Sequence, residues 1–444
     1  MKDNRLRLSY LWLIALTLCL LCAACGTPSS TGTTPPDTSA VTPTPQSTVA
    51  TATPQPTVAT GALYNDYAFV KNHQIWLSLH GGTPKQATKF DQIQDPPGNS
   101  FYNNFLWFDH DMFLVFTLKV LNSGIGGAGC SMGISYSRGS QLFILNTATL
   151  QITSPTLPGQ QTTTKSGIPY AGPWNALVKA DDTHLMGAAS LTNDTAFAAD
   201  IYTYDFTTSS FALTISASSI PNLNFRTTRE PMLVRNGLLY YQTFVNGQYA
   251  IYSHSLTNPG AAATKIADEG NETYCPMGQL PAGYGYFETP GWDISPDGTQ
   301  LIEQSIVDAN ANSPKTSIIQ RVNLANSTAT TISQDLPANA LIMDTRIQWA
   351  PDGQHCSLFM MQRSVQPAGD ASVNKALYTV DGLNQKQPYT LATPNNSGNL
   401  IYWQDGTHFL VYDGANINQY QVGVATGQSL LNLPYISGLS FGMA

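Results

Sequence analysis

The chain has 444 residues, room for two to four ordinary domains or for one large all-β domain. Charged residues make up 11% of it, against about 25% in typical soluble domains, and the formal net charge is −8, which argues against a phosphate-reading nucleic-acid binder. Hydrophobic content of 42% is ample for a sizeable core, and six cysteines are too few for a disulfide-built scaffold.

The chain opens with Lys2, Arg5 and Arg7, followed by an apolar run over residues 11–24. That run is shorter than the ~20 apolar residues of a bilayer span and has the length of a signal-peptide core. It closes on Leu21-Cys22-Ala23-Ala24-Cys25, which resembles the lipobox of bacterial lipoproteins. In that family the cysteine after two small residues is acylated and becomes the new N-terminus. The resemblance therefore implies a signal peptide over residues 1–24, a lipid on Cys25, and a location on the extracytoplasmic side of a cell membrane. An ordinary secretory signal that contains cysteines, or an uncleaved anchor, is the alternative reading of the same residues.

Residues 26–60 hold twelve Thr and seven Pro, with Asp37 as their one charge. Proline fixes φ and removes N–H donors, and little here is apolar enough to bury, so no packed core is expected. At ~3.1 Å per residue a fully extended tract would reach ~100 Å. Residues 25–61 thus read as a stalk that lifts a folded head, residues 62–444, away from a surface.

From about Gly61 the pattern becomes short alternating strands broken by Gly, Asn, Asp and Pro. One unit recurs: an apolar strand, an Asp-Gly turn, a second apolar strand. It is clearest in Trp292-Asp293-Ile294-Ser295-Pro296-Asp297-Gly298, in Ile347-Gln348-Trp349-Ala350-Pro351-Asp352-Gly353 and in Tyr402-Trp403-Gln404-Asp405-Gly406. Weaker copies centre on Asp109, Asp181 and Asn236, so the turns fall at 109, 181, 236, 297, 352 and 405. Gly suits such turns because it reaches positive φ without steric cost. Between the turns an aliphatic–aromatic doublet opens another strand: Ile75-Trp76, Leu142-Phe143, Ile201-Tyr202, Ile251-Tyr252 and Leu377-Tyr378, with Ile318-Ile319 as an imperfect member. Residues 418–424 take the seventh place without the doublet.

Four strands per repeat, repeated radially, make a β-propeller, in which each blade buries its faces against its neighbours. The expected fold is all-β, with seven four-stranded blades. The first repeat lacks its opening strand and the chain ends in a spare one, Ile436-Ser437-Gly438-Leu439-Ser440-Phe441, so closure by pairing of that strand with the first blade is expected. The Ser-Pro-Asp-Gly unit at 295–298, the Ala-Pro-Asp-Gly unit at 350–353 and the stretch 74–88 resemble the repeats of TolB-type propellers, a group that includes the propeller domains of prolyl-oligopeptidase-like peptidases. The resemblance implies a fold. A stalk stands where TolB proteins carry an α/β domain, and the Gly-x-Ser-x-Gly elbow of the peptidases is absent from the sequence.

Candidate chemistry is sparse. His184, His355 and His408 share one repeat position and His110 lies at a turn. Such positions are expected around one rim, tens of ångströms apart, whereas metal ligation needs nitrogens ~2.0–2.1 Å from one ion. Residues 308–313 begin like a calcium loop, but Ser313 and Ile319 stand where Gly and Glu belong. The glycines of 124–129 precede no helical pattern that would receive a phosphate. Neither a metal nor a cofactor is expected, and no catalytic residue is assigned. Cys130 and Cys275 lie in insertions and are candidates for a disulfide, with free thiols as the alternative, whereas Cys356 falls in a strand where burial is expected. Glu230, Glu272, Glu288, Glu303 and Asp344 are the acids that a central funnel would have to bring within ~5–9.5 Å for glycosidase-type chemistry.

The expected role is non-catalytic, a platform for another envelope protein, a peptide or a glycan, and the wealth of Thr, Asn, Gln, Tyr and Trp suits uncharged polar ligands. The rival is a funnel enzyme, a lyase or hydrolase acting on a polysaccharide or other extracellular substrate.

Overall fold

The computed structural model describes residues 65–89, 100–122, 135–136, 140–160, 172–191, 199–220, 232–245, 248–271, 291–307, 316–334, 340–364, 373–391 and 400–442. The signal, the stalk with Cys25, and both Cys130 and Cys275 lie outside them, as do the 308–313 and 124–129 motifs.

Within the described residues the strands fall into seven four-stranded blades. Blade 1 holds β1 (Tyr67–Lys71), β2 (Gln74–Ser78) and β3 (Lys85–Gln86). Blade 2 holds β4 (Ser100–Phe108), β5 (Phe113–Asn122), β7 (Gln141–Asn146) and β8 (Ile152–Thr153), with the short β6 (Ser135–Tyr136) beside β5. Blade 3 is β9 (Trp174–Lys179), β10 (His184–Ala189), β11 (Asp200–Asp205) and β12 (Ser210–Ile215). Blade 4 is β13 (Met232–Arg235), β14 (Leu238–Val245), β15 (Gln248–Ser255) and β16 (Thr264–Asn271). Blade 5 is β17 (Trp292–Ile294), β18 (Gln300–Val307), β19 (Thr316–Asn323) and β20 (Thr328–Gln334). Blade 6 is β21 (Ala340–Trp349), β22 (Cys356–Ser364), β23 (Val373–Val380) and β24 (Lys386–Tyr389). Blade 7 is β25 (Leu400–Trp403), β26 (His408–Tyr412), β27 (Asn416–Gln421) and β28 (Gln428–Asn432). The final strand, β29 (Ser437–Phe441), leaves blade 7 and pairs antiparallel with β1, placing Phe441 opposite Tyr67 and Ser440 opposite Ala68. It supplies the strand that the first repeat lacks.

All six sequence turns join the first and second strands of blades 2 to 7. The doublets all fall in third strands, where their aliphatic members Ile75, Leu142, Ile201, Ile251 and Leu377 are buried to within 1% of exposure. In blade 7, Ile417 fills that buried place. Asn418 stands where an aromatic would, and its amide donates to Asp413 Oδ2 at 2.9 Å.

The core is divided among the blade seams. Seven apolar clusters fill the seven interfaces, from Val70, Ile75 and Phe116 between blades 1 and 2 to Phe69, Tyr412 and Phe441 between blades 7 and 1. Side chains alternate along each strand, so odd and even positions of one blade serve opposite neighbours. A sheet of this kind has no free face, and pairing of β29 with β1 completes blade 1. Burial of Leu439 and Phe441 in that last seam stabilises closure by about 1.5–3 kcal/mol each.

The first strands of neighbouring blades touch in chain order around the ring, from β29 through β4, β9, β13, β17 and β21 to β25. They are the innermost strands. Because the strands of a blade run alternately up and down, two ends of the ring differ. First-to-second and third-to-fourth connections share one end, the turn end, and every internal stretch outside the described residues joins strand ends at the other, the connection end.

Candidate functional site

At the turn end a recurrent clamp holds the histidines. In each of three turns the imidazole Nδ1 lies against the carboxylate three residues before it: His184 on Asp181 at 2.9 Å, His355 on Asp352 at 3.4 Å and His408 on Asp405 at 3.1 Å. The Asp also accepts hydrogen bonds from the turn backbone, as Asp405 Oδ1 does from Thr407 N at 2.6 Å. Asp-x-x-His is thus a turn-closing device, and a short polar side chain that bonds its own backbone is what such a turn needs.

The expectation that equivalent turns stand far apart is corrected by the structure, because successive turns touch. His110 N donates to Asp182 Oδ2 in the next blade at 2.9 Å, and Asp109 N to the Asp182 carbonyl at 2.8 Å. A Cβ on Gly298, whose φ is +72°, would meet Asn236 Nδ2 of the preceding blade at 2.8 Å. First strands crowd at the ring's centre, and their turns inherit that closeness. Among the described residues no three His, Cys, Asp or Glu side chains are gathered around a common point for an ion. The turn of Asp109, His110 and Asp111 has all three residues at positive φ, and Asp182 holds it across the seam. Lys179 Nζ bonds both Asp182 Oδ1 and the Trp107 carbonyl at 2.7 Å. Partial burial alone would raise the Asp182 pKa, but the Lys179 and His110 hydrogen bonds, with the lysine charge, bring it below the usual value.

The interior carries a second kind of polarity. Asp293, in the first strand of blade 5, is buried and reaches into blade 6, where its Oδ2 accepts from Trp349 N at 2.8 Å while its Oδ1 accepts from Ile294 N at 2.8 Å. Trp349 Nε1 in turn donates to the Asp293 carbonyl at 3.3 Å, and the Arg321 guanidinium lies 5.2 Å from the Trp349 ring. The next seam repeats the theme, with Trp403 Nε1 donating to the Gln348 carbonyl at 3.2 Å and to Ser357 Oγ at 3.1 Å. Burial pushes the Asp293 carboxyl up to about 6, against the pull of those N–H donors and of Arg235.

The greatest concentration of buried polar side chains lies between blades 4 and 5. The base of that seam is apolar, with Tyr240, Ile251, Ile294, Leu301 and Val322. Toward the connection end it turns polar: Gln242 Nε2 donates to Glu269 Oε2 at 2.5 Å and Gln320 Nε2 to Glu303 Oε1 at 2.7 Å. Glu269 and Glu303 are 0% and 1% exposed. Burial pushes Glu303 up to about 7, opposed by the Gln320 bond and helped by Asp268. Glu269 is held well above the carboxylate range by burial first and by the Glu303 charge second.

Of the five acids named from the sequence, Glu230, Glu272 and Glu288 lie outside the described residues. Asp344 sits on the innermost strand β21, opposite Met361. Glu303 sits on a second strand facing a seam, and its partner, Glu269, is one that the sequence reading did not single out. The signal was present as polar letters at inward positions of apolar strands, in Tyr241-Gln242-Thr243 and Ile302-Glu303-Gln304. Cys356 is buried as expected, a free thiol whose pKa burial raises well above its usual value.

No known protein family matches the chain, and no curated protein does. Among solved structures, TolB from Acinetobacter baumannii is similar over 84% of this chain and 79% of its own, at 10% identity and a TM-score of 0.40. An oligogalacturonate lyase from Vibrio parahaemolyticus is similar over 83% and 84%, at 10% identity and a TM-score of 0.43. The propeller domain of the Trilobed protease from Pyrococcus furiosus is similar over 73% and 82%, at 10% identity and a TM-score of 0.40. These neighbours include enzymes and a non-enzyme, and the propeller itself rests on strand order and seam packing.

Proposed function

We propose that the protein is a lipoprotein, acylated at Cys25, whose propeller stands on the extracytoplasmic side of a cell membrane as a non-catalytic platform for another envelope protein, a peptide or a glycan. The observation that carries this reading is where the chain joins the ring. Because β29 occupies the innermost place of blade 1, β1 is a second strand and starts at the turn end. There Asp66 accepts from Gly442 N at 2.7 Å and from His80 N at 2.5 Å, and Asn65 accepts from Gln404 at 2.7 Å. A tether preceding residue 65 therefore leaves from the turn end, and the connection end is the one left open to a partner.

A second support is Tyr435, at the connection end between β28 and β29. It is 93% exposed and sits in left-handed backbone with a φ of +62°. Non-glycine residues adopt that conformation at a cost, and exposed tyrosine is a favoured contact residue at interfaces. Propellers serve unrelated activities, so the fold alone does not choose among them.

Two measurements test the reading. Labelled palmitate is expected to attach to the wild-type chain and not to Cys25→Ser; label that persists in the variant, or never attaches, contradicts the anchor. A photo-crosslinking residue at Tyr435 is expected to capture a partner on intact cells. The same residue at Leu383, 79% exposed in a turn of the opposite end, is expected to capture none. The reverse pattern contradicts the orientation.

A further inference from the structure

We infer that Glu269 and Glu303 hold one proton between them, and that this proton closes the seam between blades 4 and 5. Each carboxyl has one oxygen capped by a glutamine amide from its own blade, Gln242 for Glu269 and Gln320 for Glu303. The remaining oxygens, Glu269 Oε1 and Glu303 Oε2, are buried without a hydrogen-bond partner. An unprotonated carboxylate accepts only, so two of them in a dry seam leave both oxygens unsatisfied and repel. A single proton converts one into a donor for the other, in the way of paired acids that cannot both ionise.

The surroundings offer no cation to take the proton's place. From blade 4, Tyr240 is a phenol that burial raises, and Arg235 on β13 acts on Asp293 at the turn end. Lys265 is paired with Asp268 on the exposed strand β16, and it is the Asp268 charge that reaches Glu303. His254 lies on β15 and bonds the Ser255 carbonyl. From blade 5, Arg321 on β19 lies over Trp349 in the next seam, and Asp293 is bonded to blade 6. The burial of both carboxyls and their mutual repulsion each favour the protonated pair.

The element that the proton biases is backbone. β16 and β18 meet in a parallel bridge at Gly270 and Ile306, joining blades 4 and 5 into one eight-stranded sheet. Loss of the proton puts two negative charges beside that bridge and loosens it. The seam is thus a pH-sensitive joint, closed on the acid side of neutrality.

Hydrogen exchange of the wild-type chain at pH ~6 and pH ~8.5, corrected for intrinsic chemistry, tests this. Amides of residues 264–271 and 300–307 are expected to open about tenfold more at the higher pH, while residues 408–412 of blade 7 stay level. Glu303→Gln, which supplies a permanent donor, is expected to abolish the step. A step of the same size in Glu303→Gln and in Glu269→Gln, or no step in the wild type, overturns the inference. Should the variants fail to fold, the infrared band of a buried protonated carboxyl decides: its presence at pH ~7 and loss by pH ~9 supports the shared proton, and its absence at pH ~7 overturns it.

Discussion

The two seams of blade 5 solve the burial of a carboxyl in opposite ways. Toward blade 6, Asp293 spends its oxygens on fixed backbone N–H groups and feels Arg235, and burial lifts it only to about 6. Toward blade 4, Glu303 receives one neutral amide and faces further acids, and burial lifts it to about 7. The first carboxyl acts as a staple between inner strands. The second needs a proton to be at ease, so its seam answers to pH where the other answers to geometry.

Removing the staple is the strongest perturbation. Asp293→Ala leaves the Trp349 and Ile294 N–H groups unpartnered in a dry seam, and a loss of about 3–4 kcal/mol is expected in urea unfolding. A loss below about 1 kcal/mol would mean that the staple carries little.

The pH dependence of stability separates the seams next. Both acids have folded pKa values above their ordinary ones, 3.8 for Asp293 and 4.5 for Glu303. The native state therefore keeps protons that the unfolded chain has released, and stability falls as pH rises through each interval. Each contributes on the order of 3 kcal/mol, between pH ~4 and ~6 for Asp293 and between pH ~4.5 and ~7 for Glu303. Asp293→Asn is expected to flatten the lower part of the profile, and Glu303→Gln the upper part. Identical profiles for the two variants would erase the distinction.

These residues also mark where sequence reading stops. Turns and doublets are legible because their chemistry is local. Asp297 bonds Thr299 two residues on, Gly298 takes positive φ, and Ile251 faces inward by alternation. The closing strand is legible because a repeat lacked a member at one end of the chain and had a spare at the other. The acidic pair is not, because Glu269 is on the fourth strand of one blade and Glu303 on the second strand of the next. No repeat position relates the two, and only the packing of blades brings them together. Spacing along the rim misled about the turns for a related reason: it counts residues around the chain, whereas the first strands converge on the axis.

Smaller effects belong to the turn end. Asp182→Ala removes the acceptor for His110 N and the partner of Lys179, and a loss of about 1–2 kcal/mol is expected in the same unfolding measurement. His184→Ala breaks an exposed pair with Asp181 inside one turn and is expected to stay within about 0.5 kcal/mol of wild type. A larger effect for His184 than for Asp182 would mean that clamps within a turn outweigh clamps between blades.

The account depends on a ring that closes with its own last strand, since that closure makes β1 a second strand and sends the tether out of the turn end. Amide hydrogen exchange across residues 437–441 and 67–70 measures it directly. Closure predicts that the two stretches are protected to the same degree and open together. Exchange of 437–441 at the rate of an unstructured peptide, with 67–70 still protected, would contradict it.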